Sequence, residues 1–213
     1  MSIATLSKYT VPLPGASGES ATQGLLMPKL KYRFRVTFDA FGVTSPSTEL
    51  TKQVVSAARP NVAFANQVIE IYNSKINYAG KPTWSPIAIV LRDDVTNQVS
   101  KRVGEQLQKQ FDFYEQSSAA SGVDYKFTTR IEMLDGGNGG DTPIVLETWE
   151  VYGCYLVSAN YQSLSYAEQG PATIDLSIQY DNAIQFDKGV GVGITVGRTI
   201  NTLATGAGAG TTA

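Results

Sequence analysis

The chain has 213 residues, 42% of them hydrophobic and 17% charged, with a formal net charge of −2 at pH 7. That is a globular composition, and a single domain of this size buries enough surface for a sizeable core without covalent staples. Histidine is absent and cysteine occurs once, which excludes Ser-His-Asp and Cys-His catalysis, an ordinary zinc ligand set and any intrachain disulfide.

The lone thiol suits a reducing compartment. Cys154 sits in the apolar run from Tyr152 to Val157 and reads as a buried core residue. No stretch reaches the ~20 apolar residues of a membrane span. The first residues lack a basic segment followed by an apolar one, so no secretory leader is expected.

In chain order, residues 1–28 carry Pro12, Pro14, Pro28 and three glycines, and read as an extended arm. The body is expected over 29–188 and opens on strict alternation: Leu30, Tyr32, Phe34, Val36 and Phe38 against Lys29, Lys31, Arg33, Arg35 and Thr37. Period two over that length predicts a strand with one buried face, from Lys29 to Asp39. Weaker strands are predicted over 50–57, 67–72 and 87–92. Asp93 and Asp94 then precede Val95, Val99, Val103, Leu107, Phe111 and Tyr114, a stripe at helical spacing. It predicts one long helix over 95–116, about 30 Å long, with Asp94 capping its first turn. After it come alternating segments at 125–133 and 172–180, with weaker strands at 144–152 and 154–158. Residues 189–213 hold seven glycines and one charge, Arg198, and read as a flexible tail that cannot build a core. The fold class is mainly β with one long helix.

Three local patterns have plainer explanations than function. Lys29, Lys31, Arg33 and Arg35 could line nucleic acid, but no aromatic residues interleave on that face for base stacking. Asp93 and Asp94 could serve acid-base work or Mg²⁺, and a helix start explains both. Gly136 to Asp141 spells one G-G-x-G-x-D calcium repeat, which binds calcium only as stacked copies, so a hairpin loop is expected. No cofactor, no metal and no catalytic site is expected; the reading is not an enzyme.

The stretch Asn73-Ser74-Lys75-Ile76-Asn77-Tyr78-Ala79-Gly80-Lys81-Pro82-Thr83-Trp84 resembles the N-x-K-I-x-x-A-G-x-x-T-[FW] segment of the tail tube proteins of contractile-tailed bacteriophages. The order that follows is also similar: a strand at Ile87 to Leu91, the acidic junction Asp93-Asp94, then the helix. Lys31 to Val36 and Thr173 to Tyr180 match the family's opening and closing strands, so the resemblance spans most of residues 30–184. It implies a β-barrel or sandwich-like tail tube fold with a flanking helix. Six copies would form a ring, inner strands would join across subunits, and rings would stack into a hollow conduit for DNA inside a sheath. The implied partners are further copies of itself, sheath, baseplate and tail terminator proteins, and DNA in transit without sequence-specific binding. The implied location is the virion tail, assembled in the host cytoplasm. Asn73, Lys75, Asn77, Gly80, Trp84, Asp93 and Asp94 are then candidate assembly residues. Rival readings are the tube of a bacteriocin or secretion-type injection system and, in another class, a carbohydrate-binding β-domain. Both terminal extensions depart from the family's shorter pattern.

Charge is unevenly ordered. Residues 29–130 hold 14 basic and 9 acidic side chains, residues 131–188 only 1 basic and 9 acidic. Either the two halves attract within or between subunits, or the later acids face a DNA conduit. A basic wall would bind phosphate and release counterions, whereas an acidic one lets the strand slide. Glu132, Glu147, Glu150 and Asp175 are the lumen candidates.

Overall fold

The computed structural model describes residues 28–43, 48–134, 144–167, 169–187 and 190–191. The arm before Pro28, the loop Gly136 to Asp141 and the tail from 192 onward lie outside the described residues. The chain divides into a unit up to Arg33 and a body from Phe34.

The strand expected from Lys29 begins only at Phe34: β1 is Phe34–Asp39. In the preceding unit the Arg33 amide donates to the Leu30 carbonyl at 3.2 Å, a turn. The reason lies in the partner. β8, Phe127–Leu134, pairs with β1 from Asp39 opposite Thr128 to Phe34 opposite Met133, and then ends. Alternation continues in the sequence where the ladder does not.

The body is a path of strands ordered β1-β8-β9-β10-β5-β2. β2 is Val54–Ala57, β5 Ile87–Arg92, β9 Val145–Tyr161 and β10 Thr173–Gln179. β11, Asn182–Asp187, lies along the first half of β9 and pairs with β12, Val190–Gly191. β1 and β2 approach each other without pairing, so the circuit stays open rather than closing as a barrel. Among the described helices are α1, Thr48–Gln53, α2, Gln98–Gln110, and the single turn α3, Gly122–Tyr125.

The inward residues of the alternating strands form one core: Val36, Phe38, Ile131 and Val151 from one half, Ile87, Ile89, Leu91, Ile174, Leu176 and Ile178 from the other. α2 adds Val99 and Val103. Phe38, Phe41 and Phe127 cluster with centroids 4.9–6.5 Å apart. Cys154 is buried as expected, its thiol donating to the Val151 carbonyl at 3.3 Å, and burial pushes its pKa up to about 11.

β9 serves both halves of the sheet because it bends at Gly153. There φ is +68°, the left-handed region that side chains avoid, and a Cβ would lie 2.2 Å from Asp181 Oδ2. The two strands expected at 144–152 and 154–158 are therefore one strand with a break in its partners: β11 accompanies the part before the bend and β10 the part after.

The helix is shorter than predicted at both ends. Val95 is fully exposed in a turn closed by the Asn97 amide on the Asp94 carbonyl at 3.0 Å. Asn97, at φ +58°, occupies the cap position without a side-chain bond to the helix. Asp94 instead accepts from the Thr96 hydroxyl at 2.6 Å, and this bond above all holds its carboxyl below the usual range. At the other end Phe111 is already extended, opening the small hairpin of β6, Phe111–Asp112, and β7, Ser117–Ser118. Tyr114 lies in its turn.

Candidate assembly surface

β3, Asn61–Ile71, and β4, Ser74–Ser85, form a two-stranded ribbon that, among the described residues, no other strand pairs with. Its register continues that of β2 and β5: Ala57 faces Ile89, Asn61 faces Ser85, and so on outward. β10 accompanies β5 only as far as Ile178 opposite Ile87. Beyond that point the pair has no further strand beside it among the described residues. Eleven residues of strand extend about 35 Å at ~3.3 Å each.

The segment Asn73 to Trp84 is the returning strand of this ribbon. Asn73 lies in the tip turn beside Tyr72, which has φ +44° and is fully exposed. Lys75 pairs with Glu70 across the strands at 2.6 Å, and Asn77 accepts from Asn66 at 3.2 Å. At Gly80 the register shifts, and a Cβ there would come within 2.9 Å of the Ala65 carbonyl oxygen. Trp84 sits at the base with its ring 5.5 Å from that of Tyr180. Four motif residues thus shape one ribbon and the fifth, Trp84, joins it to the body. Asp93 and Asp94 lie elsewhere, between β5 and α2.

Past the register shift, Ile69, Ile71, Ile76 and Tyr78 share one face and are 49, 48, 52 and 50% exposed. Phe64 and Val68 are similarly exposed on the other face. A lone two-stranded ribbon is marginal in water, and a clustered apolar surface on it marks a place of contact.

The four expected lumen acids separate. Glu132 and Glu150 lie on the outer side of β8 and β9, each across from an arginine: Arg35 Nε to Glu132 at 2.6 Å, Arg130 Nη2 to Glu150 at 2.6 Å. The Tyr152 hydroxyl also donates to Glu150, and with Arg130 it holds that carboxyl below its ordinary range. Asp175 is on the outer side of β10 and accepts from Gln162. Glu147 is on the other side of its sheet, buried, accepting from Trp149 Nε1 at 2.7 Å and Gln185 Nε2 at 2.9 Å, with Arg59 at 3.7 Å. With Lys126 on Asp181, four cations from the first half of the body meet four acids from the second. Attraction within one subunit therefore accounts for part of the charge asymmetry.

An open cleft beside β10 is lined by Asp93, Tyr161, Gln162, Ser163 and Thr173. Among the described residues its lining carries one carboxylate, that of Asp93. Among the described residues no acidic and thiol side chains group to hold a metal, and no helix is long and apolar enough to cross a membrane.

No family model and no curated protein sequence matches the chain. Solved structures do. The anti-feeding prophage cap, described as a tube terminating cap, superposes with a TM-score of 0.57 at 14% identity, covering 79% of this chain and 97% of that one. A chain of an extracellular contractile injection system sheath-tube complex in the extended state gives 0.55 at 14% identity over 75% and 92%. A sheath/tube terminator from the same kind of system gives 0.55 at 12% identity over 76% and 99%.

The fold is that of contractile injection system tubes and caps.

The coverage means that almost the whole of each such chain has its counterpart here. The tube-like fold expected from the sequence stands, with an open rather than closed sheet circuit.

Proposed function

We propose that this chain is a structural subunit of a phage tail tube, six copies forming a ring and rings stacking into a DNA conduit inside a contractile sheath. The observation that carries this reading is the projecting ribbon: apolar on both faces, paired with no third strand among the described residues, and built by the tube-like motif. A second copy is the occupant that fits, because every subunit of a ring or stack would offer and receive the same surface. Among the described residues β1 and β2 end the strand path, and this supports it further, since pairing with identical neighbours removes edges that would otherwise aggregate. Sheath, baseplate and terminator would be the other partners. Asn73, Lys75, Asn77, Gly80 and Trp84 would act in assembly through the ribbon; Glu132 is buried against Arg35, which leaves Glu150 and Asp175 as the acids that would be available to a lumen.

Negative-stain microscopy and sedimentation of the purified chain over a range of concentrations test it. Six-fold rings or tubes are expected. A chain that stays monomeric under every condition and is absent from purified particles sinks the reading.

A second reading is favoured by the caps and terminators among the similar structures: a ring that ends a tube rather than extends it. It gives single rings that never stack. A tube of a non-phage injection system would give stacks in particles that carry no genome.

A further inference from the structure

We infer that Arg59 and Trp84 form a clamp, seated on Glu147 and Tyr180, that fixes the direction in which the ribbon leaves the body. This rests on the tube reading only for its consequence in assembly; the clamp itself is a property of the single chain.

The two strands of the ribbon are each caught at the exit point. Before β3, the Arg59 guanidinium reaches Glu147 on β9 at 3.7 Å. At the end of β4, the Trp84 ring packs on Tyr180 at 5.5 Å with planes at 51°, and the Trp84 carbonyl accepts from Gln179 Nε2 at 3.2 Å. Farther out, among the described residues, the hydrogen bonds and ion pair of the ribbon run between its own two strands. The seats are rigid. Glu147 is 6% exposed in its side chain and held by Trp149 and Gln185, whereas the Arg59 side chain is 60% exposed. Tyr180 is buried in the core. Glu147, read from sequence as a lumen acid, is in this assignment an anchor.

The lever arm gives the contacts their weight. Over about 35 Å of ribbon, a ten-degree swing at the base moves the tip by about 6 Å, more than the width of a strand pair. A tip that wanders so far must be ordered on docking, and that ordering subtracts from association. One contact would leave the ribbon free to pivot about it; two on opposite strands stop both bending and rolling.

The test places nitroxide labels at Ser74→Cys on the tip side and Ser177→Cys on β10, and reads their distance distribution in the free subunit. The buried Cys154 stays unlabelled. The parent is expected to give one narrow distribution. Arg59→Ala broadens it; Trp84→Ala broadens it further; Arg59→Lys keeps it narrow. In unlabelled protein, Arg59→Ala raises the concentration needed for assembly by about tenfold, equivalent to ~1.4 kcal/mol. Distributions in Arg59→Ala and Trp84→Ala as narrow as the parent's overturn the clamp. A parent that never assembles, but whose ribbon loosens in these variants, overturns the tube reading and leaves the clamp standing.

Discussion

The side-chain amide of Gln110 pairs with the main chain of Leu156 as a neighbouring strand would. Its Nε2 donates to the Leu156 carbonyl at 2.9 Å, and its Oε1 accepts from the Leu156 amide at 2.8 Å. The position explains the need. β8 stops pairing with β9 at Phe127 opposite Cys154, and two residues later β9 has an open edge on that side. Gln106, one turn earlier and fully buried, does similar work for loops: it accepts from the Gly42 amide and donates to the Tyr125 carbonyl. α2 thus holds the sheet by polar side chains as well as by its apolar stripe.

Gln110→Leu should therefore destabilise the chain although it adds apolar surface. Two part-buried backbone groups lose their partners, a cost of about 1–3 kcal/mol for each group left unsatisfied. Gln110→Glu should keep one bond and lose the other. Denaturant unfolding measures both, and a Leu variant as stable as the parent would contradict the account.

Gly153→Ala should be among the most damaging single changes. The left-handed φ costs a side chain about 1–3 kcal/mol, and the contact with Asp181 adds to it. Removing the obstacle in the pair Gly153→Ala, Asp181→Ala should recover the steric part only, less what Asp181 loses by leaving Lys126. Full recovery in the double variant would show that φ is not limiting.

The pH dependence has a definite sign. Glu150 titrates below its ordinary 4.5 in the folded chain, so its contribution is fully present above that value and is lost as pH falls through the folded pKa. Melting temperature should fall below about pH 4.5, and more gently in Glu150→Gln. Lys126 is raised above 10.5, chiefly by its bond to Asp181, so its contribution is present below 10.5 and lost as pH rises past the folded value. With no histidine in the chain, the curve should be flat between about pH 6 and 8. A steep slope there would point to a group not considered.

Ile69→Lys with Ile76→Glu should abolish rings and tubes while leaving the melting temperature of the free subunit within a few degrees of the parent's. The two side chains are half exposed and face each other across the ribbon, so opposite charges keep that pair while removing the apolar face. Assembly at the parent's concentration would remove the ribbon face from the interface.

What the sequence disclosed, and what it hid, follows from which surfaces are wet. β5, β8 and β10 were legible because one face of each is buried and the other polar, so period two survives. The same signal overran at Lys29 to Arg33, where the residues alternate but the partner strand has ended. β4 was invisible. Ser74–Ser85 has exposure on both faces and therefore no alternation, and Gly80 and Pro82 read as breakers although one shapes the register shift and both sit in a pair with no third strand. The helix was overextended because Val95, Phe111 and Tyr114 keep helical spacing, while Asn97 in the left-handed region and Phe111 in extended conformation end it. The motif residues were found as a set, but spacing could not tell that they are one strand of a projecting ribbon. Charge order revealed that the two halves of the body differ; the pairing of Glu147 with Arg59 requires the fold.

The matching register of β2 and β5 and of the base of the ribbon has a mechanical side. A pull on the tip along the strands does not peel one cross-strand bond at a time. It runs down β2 and β5 together, and loads in shear the ladder by which β10 holds β5. Because ladder bonds lie across the strand direction, such a pull must slide several of them at once. Traction on the ribbon is thus passed to the most deeply buried strands of the molecule, Ile87, Ile89 and Leu91 against Ile174, Leu176 and Ile178, and the handle fails only when its root does.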